Sequence, residues 1–198
     1  MSKLLDNVVG ELSRLPGIGR RTALRLAMHL LRLEEQDVVS MGESLIDFRT
    51  KICRCAKCNN LSDTEICDIC TDASRDKSTV CVVEQVSDLL SIEKTHQYRG
   101  VYSVLGGVIS PMQGIAPSDL RIDLLLDRIA MGEVKEVILA LSSTMEGDTT
   151  NFYIYRKLQD TGVAVTVIAR GVAQNDELQY TDEVTLGRAL LGRTPYST

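Results

Sequence analysis

Along the chain the apolar positions change their rhythm twice. After Ser2, a good N-cap, residues Leu4, Leu5, Val8, Val9, Leu12 and Leu15 recur at helical spacing, and the pattern stops at Leu15-Pro16-Gly17-Ile18-Gly19. It resumes over Thr22 to Leu33, where Ala23, Leu24, Leu26, Ala27, Leu30 and Leu31 form an apolar stripe. Asp37 is placed to cap a third helix over Val38 to Phe48. From Cys53 to Asp76 the rhythm is lost among polar residues and cysteines, in a stretch too short and too polar to bury a core of its own. Beyond Ser78, short apolar runs alternate with helical segments. Strands are predicted at Val80 to Val83, Val101 to Leu105, Val137 to Leu141 and Val163 to Ala169. Helices are predicted at Ser87 to Lys94, from a Ser118 cap to Gly132, at Thr149 to Gln159 and at Val184 to Leu191, with a Gly/Pro loop from Gly106 to Pro117. Strands this apolar, joined by helices, predict an α/β fold with a mainly parallel sheet covered on both faces.

Composition narrows the function classes. With 198 residues, 44% hydrophobic and 25% charged, the chain has the make-up of a soluble globular protein. It has no Trp and only two Phe, which argues against a binder that works by stacking bases on rings. No apolar run approaches the roughly 18–20 residues needed to span a bilayer. Met1 to Asp6 has no secretory character, so a cytoplasmic location away from membranes is expected. In that compartment thiols stay reduced, and six Cys point to metal binding before disulfides.

The net charge of −5 hides an uneven distribution. Residues 1–60 carry ten Lys/Arg and seven Asp/Glu, and the remainder carries twelve and twenty. From Leu12 to Leu33 there are five arginines (Arg14, Arg20, Arg21, Arg25 and Arg32) and no acid. A local basic surface on an acidic body fits a polynucleotide partner. The turn between the first two helices sharpens that expectation. Gly17 and Gly19 let the backbone turn tightly and come close to another surface. The free N–H groups and dipole at the start of the next helix favour a phosphate. Arg20 and Arg21 follow at once, and Arg25 lies one turn beyond Arg21, so contacts could run along a sugar-phosphate backbone without reading sequence. The string matches the helix-hairpin-helix motif of non-specific DNA binders. A plain helix-to-helix turn with solvated arginines is the alternative, and a role in holding subunits together is compatible with either. His29, with no second His nearby, is expected to be a packed or capping residue.

Cys55-Ala56-Lys57-Cys58, eight residues, then Cys67-Asp68-Ile69-Cys70 can place four thiolates tetrahedrally around one structural Zn²⁺ with no open position for chemistry. Such a site carries a formal charge of about −2, which the neighbouring Lys51, Arg54 and Lys57 are expected to offset. Cys53 is spare, and Cys81, inside an apolar run, reads as a small buried residue.

In the α/β part, Glu84 ends the first strand, and Glu146 and Asp148 follow the strand that ends near Leu141. Ligands of open parallel sheets bind beyond the carboxyl ends of the strands, so these acids could share Mg²⁺ and handle a phosphate. Asp148 could equally be a helix N-cap. His96 is expected at a surface or turn.

A glutamate after the first strand and an acid-x-acid pair after a later one resemble the Toprim domain of topoisomerases, primases and some nucleases. The whole order resembles the RecR family. It is carried by Leu15-Pro16-Gly17-Ile18-Gly19, Cys67-Asp68-Ile69-Cys70, Cys81-Val82-Val83-Glu84-Gln85, Ser110 to Pro117, Glu146-Gly147-Asp148 and Asp182-Glu183-Val184-Thr185-Leu186.

The resemblance implies a helix-hairpin-helix region for DNA binding and oligomerisation over 1–52, a four-cysteine zinc finger over 53–77, a Toprim domain over 78–174 and a C-terminal segment over 175–198. It implies a recombination mediator in gap repair that acts with RecO or RecF to load RecA on single-stranded DNA, without turnover of its own. It further implies a homo-oligomer, either a dimer or a tetrameric ring around DNA. DNA contacts map to Arg21 and Arg25, and partner contacts to Glu84 and Glu146. Two strings depart from the family: Arg20 stands where proline is usual, and Ala173-Gln174-Asn175-Asp176 replaces a glycine-rich stretch. The competing expectation is a Mg-dependent Toprim enzyme, a nuclease or primase-like polymerase, working through Glu84, Glu146 and Asp148.

Overall fold

The structure, a computed structural model, describes residues 2–173 and 175–195. The departing stretch Ala173 to Asp176 therefore falls partly, at Gln174, outside the described residues. The chain divides into two compact units, Met1–Ile52 and Cys53–Thr198.

The first unit is helical: α1 (Lys3–Leu12), α2 (Arg20–Leu30) and α3 (Glu35–Lys51). Val9, Ala23 and Ala27 are buried between α1 and α2, with Leu5, Leu12 and Ile18 packed around them. The small alanines let the two backbones come close. Of the two expected caps, the first holds by position and the second is corrected. Ser2 is extended, as an N-cap must be, but its side chain accepts no capping hydrogen bond. Helix α3 starts before Asp37: Glu34 is its N-cap residue, and Asp37 joins Glu35 in the first turn, where both carboxylates oppose the helix dipole.

The second unit opens with the finger: β1 (Cys53–Arg54), β2 (Leu61–Ser62) and the one-turn helix α4 (Asp68–Thr71). The sheet region follows as β3 (Asp76–Val83), α5 (Val86–Glu93), β4 (Gly100–Val104), α6 (Ile122–Ala130), β5 (Glu136–Ala140), α7 (Met145–Leu158), β6 (Ala164–Val167) and α8 (Glu183–Leu191). The four sheet strands run parallel in the order β4-β3-β5-β6, with Val80 opposite Val101 on one side and Val137 on the other.

Alternate residues of each strand face opposite layers. Val80, Val82, Val137 and Leu139 pack with Leu125 of α6 and with Ile154 and Leu158 of α7. Cys81, Val83, Tyr102 and Val104 pack with Leu89 of α5. Burial on both faces is why β3 reads as a continuous apolar run rather than an alternation, and burial pushes the Cys81 thiol up to about 12. The helix expected to start at Ser118 starts instead at Ile122. Pro117 to Asp119 form a tight 3-10 turn in which the Asp119 carboxylate accepts the Ala116 N–H, using up the capping group early. His96 lies in an exposed turn, as expected, with φ of 54°.

An ion pair ties α5 to the sheet. The Arg75 guanidinium donates to both Glu93 carboxylate oxygens, at 2.8 and 2.5 Å, and the Tyr102 hydroxyl donates to the same carboxylate at 2.7 Å. Arg75 and Glu93 are only 16% and 25% exposed. Arg75, and after it Tyr102, hold the Glu93 carboxyl below its ordinary range against the opposing effect of burial. Because the folded-state pKa is lowered, the pair's contribution is present above the unfolded value of about 4.3 and disappears as pH falls through the lowered one. Glu93→Gln is expected to reduce stability at pH 7 and to flatten the loss of stability between about pH 5 and pH 3, as read by urea unfolding across that range. An unchanged acid profile would remove Glu93 from the acid response.

Candidate functional site

In the first unit, the Ile18 N–H donates to the Leu15 carbonyl at 3.1 Å across Pro16 and Gly17. Gly17 has φ of +78°, the position after proline in a type II turn, where a side chain is strained. Gly19 is the N-cap residue of α2 and offers no side-chain cap, and the first turn of α2 has no acid. The start of this helix therefore presents N–H groups and an unopposed dipole.

The three predicted arginines differ. Arg20 pairs with Asp6 at 3.2 Å, with 71% and 40% of the two side chains exposed. Arg21 and Arg25 are exposed and enter none of the ion pairs among the described residues. Arg20 begins the helix where a proline would also fit, so α2 starts two residues earlier than Thr22. His29 is exposed in the last turn of α2, not packed or capping as expected.

In the finger, the structure brings Cys55, Cys58, Cys67 and Cys70 together. All four are buried, and their sulfurs lie within 4.8 Å of one another, with Cys58 and Cys67 3.5 Å apart. Tetrahedral Zn–S bonds of about 2.3 Å need sulfur separations of about 3.8 Å, so the four fit one Zn²⁺. Each knuckle is closed by backbone: the Asn59 N–H donates to the Cys55 carbonyl at 2.9 Å, and the Cys70 N–H donates to the Cys67 carbonyl at 3.0 Å. The spare Cys53 lies on β1, its thiol 3.1 and 3.0 Å from the Ser62 and Thr64 carbonyls.

The charge beside the sulfurs comes from a residue that the spacing did not indicate. Arg128 of α6 has one guanidinium nitrogen 3.6 Å from the Cys70 sulfur and 2.9 Å from the Lys57 carbonyl, and another 3.1 Å from the Tyr102 carbonyl. Of the expected cations, Lys51 pairs with Asp47 and Arg54 donates to the Asn59 carbonyl. As free thiols, Cys58 is pushed up by its hydrogen bond with Cys70 and by burial. Cys70 is drawn down to about 5, first by that bond and, against burial, by the Arg128 charge.

Asn59, buried and left-handed at φ of 60°, donates from its amide to the Val104 carbonyl at 2.8 Å, while the Val104 N–H donates to the Cys58 carbonyl at 2.8 Å. The finger thus covers the exposed edge of β4, which a parallel sheet otherwise leaves open. An Asn directly after the second Cys of the first knuckle was the one signal in the sequence for this turn, since Asn tolerates the left-handed region.

At the carboxyl end of the sheet, the strand order reverses direction between β3 and β5, the place where such sheets bind ligands. Glu84 is half-buried there and accepts a hydrogen bond from the Ser142 hydroxyl, beyond β5, at 2.9 Å. Glu146 and Asp148 lie in the first turn of α7. Asp148 is not the cap: the Thr144 side chain accepts the Gly147 N–H at 3.1 Å, which starts the helix at Met145 rather than at the expected Thr149. A Cβ on Gly147 would collide with the Ser142 carbonyl, so only glycine lets this turn close.

Asp148 instead pairs with Arg170 at 2.7 Å and Arg188 at 3.5 Å, and Arg170 first of all holds its carboxyl below the ordinary range. Neither arginine could have been matched to it from spacing. Among the described residues, no set of three or more His, Cys, Asp or Glu besides the four cysteines brings its ligand atoms together, so Glu84, Glu146 and Asp148 do not converge as a metal site does.

Among known proteins, residues 5–48 match the RecR helix-hairpin-helix model, 52–72 the RecR four-cysteine zinc finger domain, 78–169 the Toprim domain and 171–194 the RecR C-terminal model. The chain is 57% identical to recombination protein RecR of Bacteroides thetaiotaomicron over 99% of its own length and 96% of that protein's. It is 55% identical to that of Porphyromonas gingivalis, covering 99% and 95%, and 49% identical to that of Flavobacterium johnsoniae, covering 98% and 95%.

Proposed function

Because the chain belongs to the RecR family, we propose that it is a DNA-binding recombination mediator, acting with RecO or RecF in gap repair to help load RecA on single-stranded DNA. A role in DNA recombination or repair follows from the family itself. The observation that carries the DNA-binding part is the hairpin: an uncapped helix start flanked by two exposed arginines without carboxylate partners among the described residues. Gly17 and Gly19 bring the backbone close, Arg21 and Arg25 meet phosphates, and Arg20 adds a charge partly offset by Asp6.

In this reading 1–52 binds DNA and holds subunits together, 53–77 is the zinc finger, 78–174 the Toprim domain and 175–198 a C-terminal segment. Cys55, Cys58, Cys67 and Cys70 hold a structural Zn²⁺, which supplies folding energy and no chemistry. Oligomerisation, as a dimer or a tetrameric ring, is supported by α3. It buries no side chain, and it leaves Leu45, Ile46 and Phe48 61%, 63% and 59% exposed. Glu84 and Glu146 serve partner binding. Asp148, engaged by two arginines, is poorly placed to take Mg²⁺. No helix among the described residues is long and apolar enough to cross a membrane. The cytoplasm, where bacterial DNA lies, is the place of action in this reading.

The test is DNA binding by the purified protein with Mg²⁺ present and the DNA recovered on a denaturing gel. Salt-sensitive binding that leaves the DNA intact is the expected result. Metal-dependent cleavage that disappears in Glu84→Gln would make the protein a Toprim enzyme instead.

A further inference from the structure

Beyond the end of β6, a cavity of about 250 Å³ is lined by Ser143, Arg170, Gly171, Thr185 and Arg188 among others. Its polar groups are incompletely used. Arg170 is 22% exposed and gives one nitrogen to Asp148 at 2.7 Å, but its Nε–H is buried with no acceptor among the described residues. A buried charged donor without a partner is costly, and proteins seldom keep one without use. Arg188 lies 3.5 Å from the other Asp148 oxygen, a long contact, and is 43% exposed. The Ser143 and Thr185 hydroxyls make no hydrogen bond among the described residues, although the Thr185 N–H is taken by Asp182.

From this arrangement we propose that the cavity binds a phosphodiester group. Two guanidinium groups against one Asp148 carboxylate leave a single net positive charge, which a singly charged diester neutralises and a doubly charged phosphate overshoots. Arginine forks and two hydroxyls, one before α7 and one on α8, suit a ligand with several oxygens pointing in different directions. The cavity is larger than a lone carboxylate fills. Arg170 serves as the fixed donor, held by Asp148, and Arg188 as the adjustable one. The site is built from residues of the second unit alone, so its binding does not depend on the hairpin arginines.

The experiment follows the Arg Nε–Hε signals of the zinc-loaded full chain by NMR while dimethyl phosphate, acetate or a short single-stranded oligonucleotide is added. Dimethyl phosphate is expected to move the Arg170 and Arg188 signals saturably. Arg188→Gln, on an exposed position of α8, should lower its affinity about tenfold or more, the factor of one charge-assisted hydrogen bond. An unchanged melting temperature in that variant separates a lost contact from a lost fold. If the oligonucleotide moves the same signals and Arg188→Gln lowers the salt slope of DNA binding by about 0.7, the diester is that of the DNA backbone. If only dimethyl phosphate does so, the ligand is a small diester. The Arg21→Ala/Arg25→Ala protein should respond to dimethyl phosphate as the parent does. Signals that stay still, or that acetate moves as strongly, overturn the proposal.

Discussion

A chain carrying Cys67→Ser is expected to lose its zinc, unfold its finger and become largely insoluble. The finger has almost nothing else to hold it: its buried cluster is the four cysteines, with Ile66 and Ile69 packed half-buried beside them. Apparent zinc-binding energies of about 10–16 kcal/mol in finger peptides exceed the whole stability of most domains, and that energy is folding energy here. Loss of the finger would also strip β4 of the Cys58 carbonyl and the Asn59 amide that occupy the backbone of Val104. An uncovered parallel edge is a template for association with another chain, which is why insolubility is expected rather than local disorder alone. Zinc content and hydrogen exchange at the Val104 amide read the two effects separately. Arg128→Gln should keep the metal but release it to a chelator about 10–100 times faster or more completely, as a supporting contact to the sulfur and to the Lys57 and Tyr102 carbonyls is lost. A Cys67→Ser protein that folds without zinc, with Val104 protected, would refute the closed metal site.

Replacing Arg21 and Arg25 together with Ala should weaken DNA binding on every sequence tested. Each side chain meeting one phosphate releases about one counterion, so the slope of log affinity against log salt should fall by about 1.8 on duplex DNA and about 1.4 on single strands. At low salt the loss should reach about tenfold or more per arginine. Arg20→Ala is the internal comparison: its charge is already shared with Asp6, and its effect should be the smallest of the three. Both replaced residues are exposed on α2, away from the buried Ala23 and Ala27, so unfolding is not expected and the melting temperature should hold. An unchanged salt slope would take these arginines out of the DNA contact.

What was legible in the sequence was whatever local geometry alone decides. Helical spacing of leucines, a Pro-Gly turn needing a left-handed glycine, two C-x-x-C knuckles and continuous apolar strands each follow from backbone conformations a few residues long. They placed the three helices of the first unit, the four-sulfur cluster, and four parallel strands, of which β3, β4 and β5 are covered on both faces while β6 stays largely exposed. Helix starts were less legible because several polar residues compete for one capping site: Thr144 took the role open to Asp148, and Glu34 the place expected of Asp37.

Only the tertiary structure decided which distant charges meet. Arg128 reaches Cys70 across 58 residues, and Arg170 reaches Asp148 across 22. Asn59 reaches Val104 across 45. Nothing in the local sequence of any of these residues names its partner. Long polar side chains have many rotamers and no periodicity, and a single partner is selected only once packing of the sheet and helices has fixed the backbone around them.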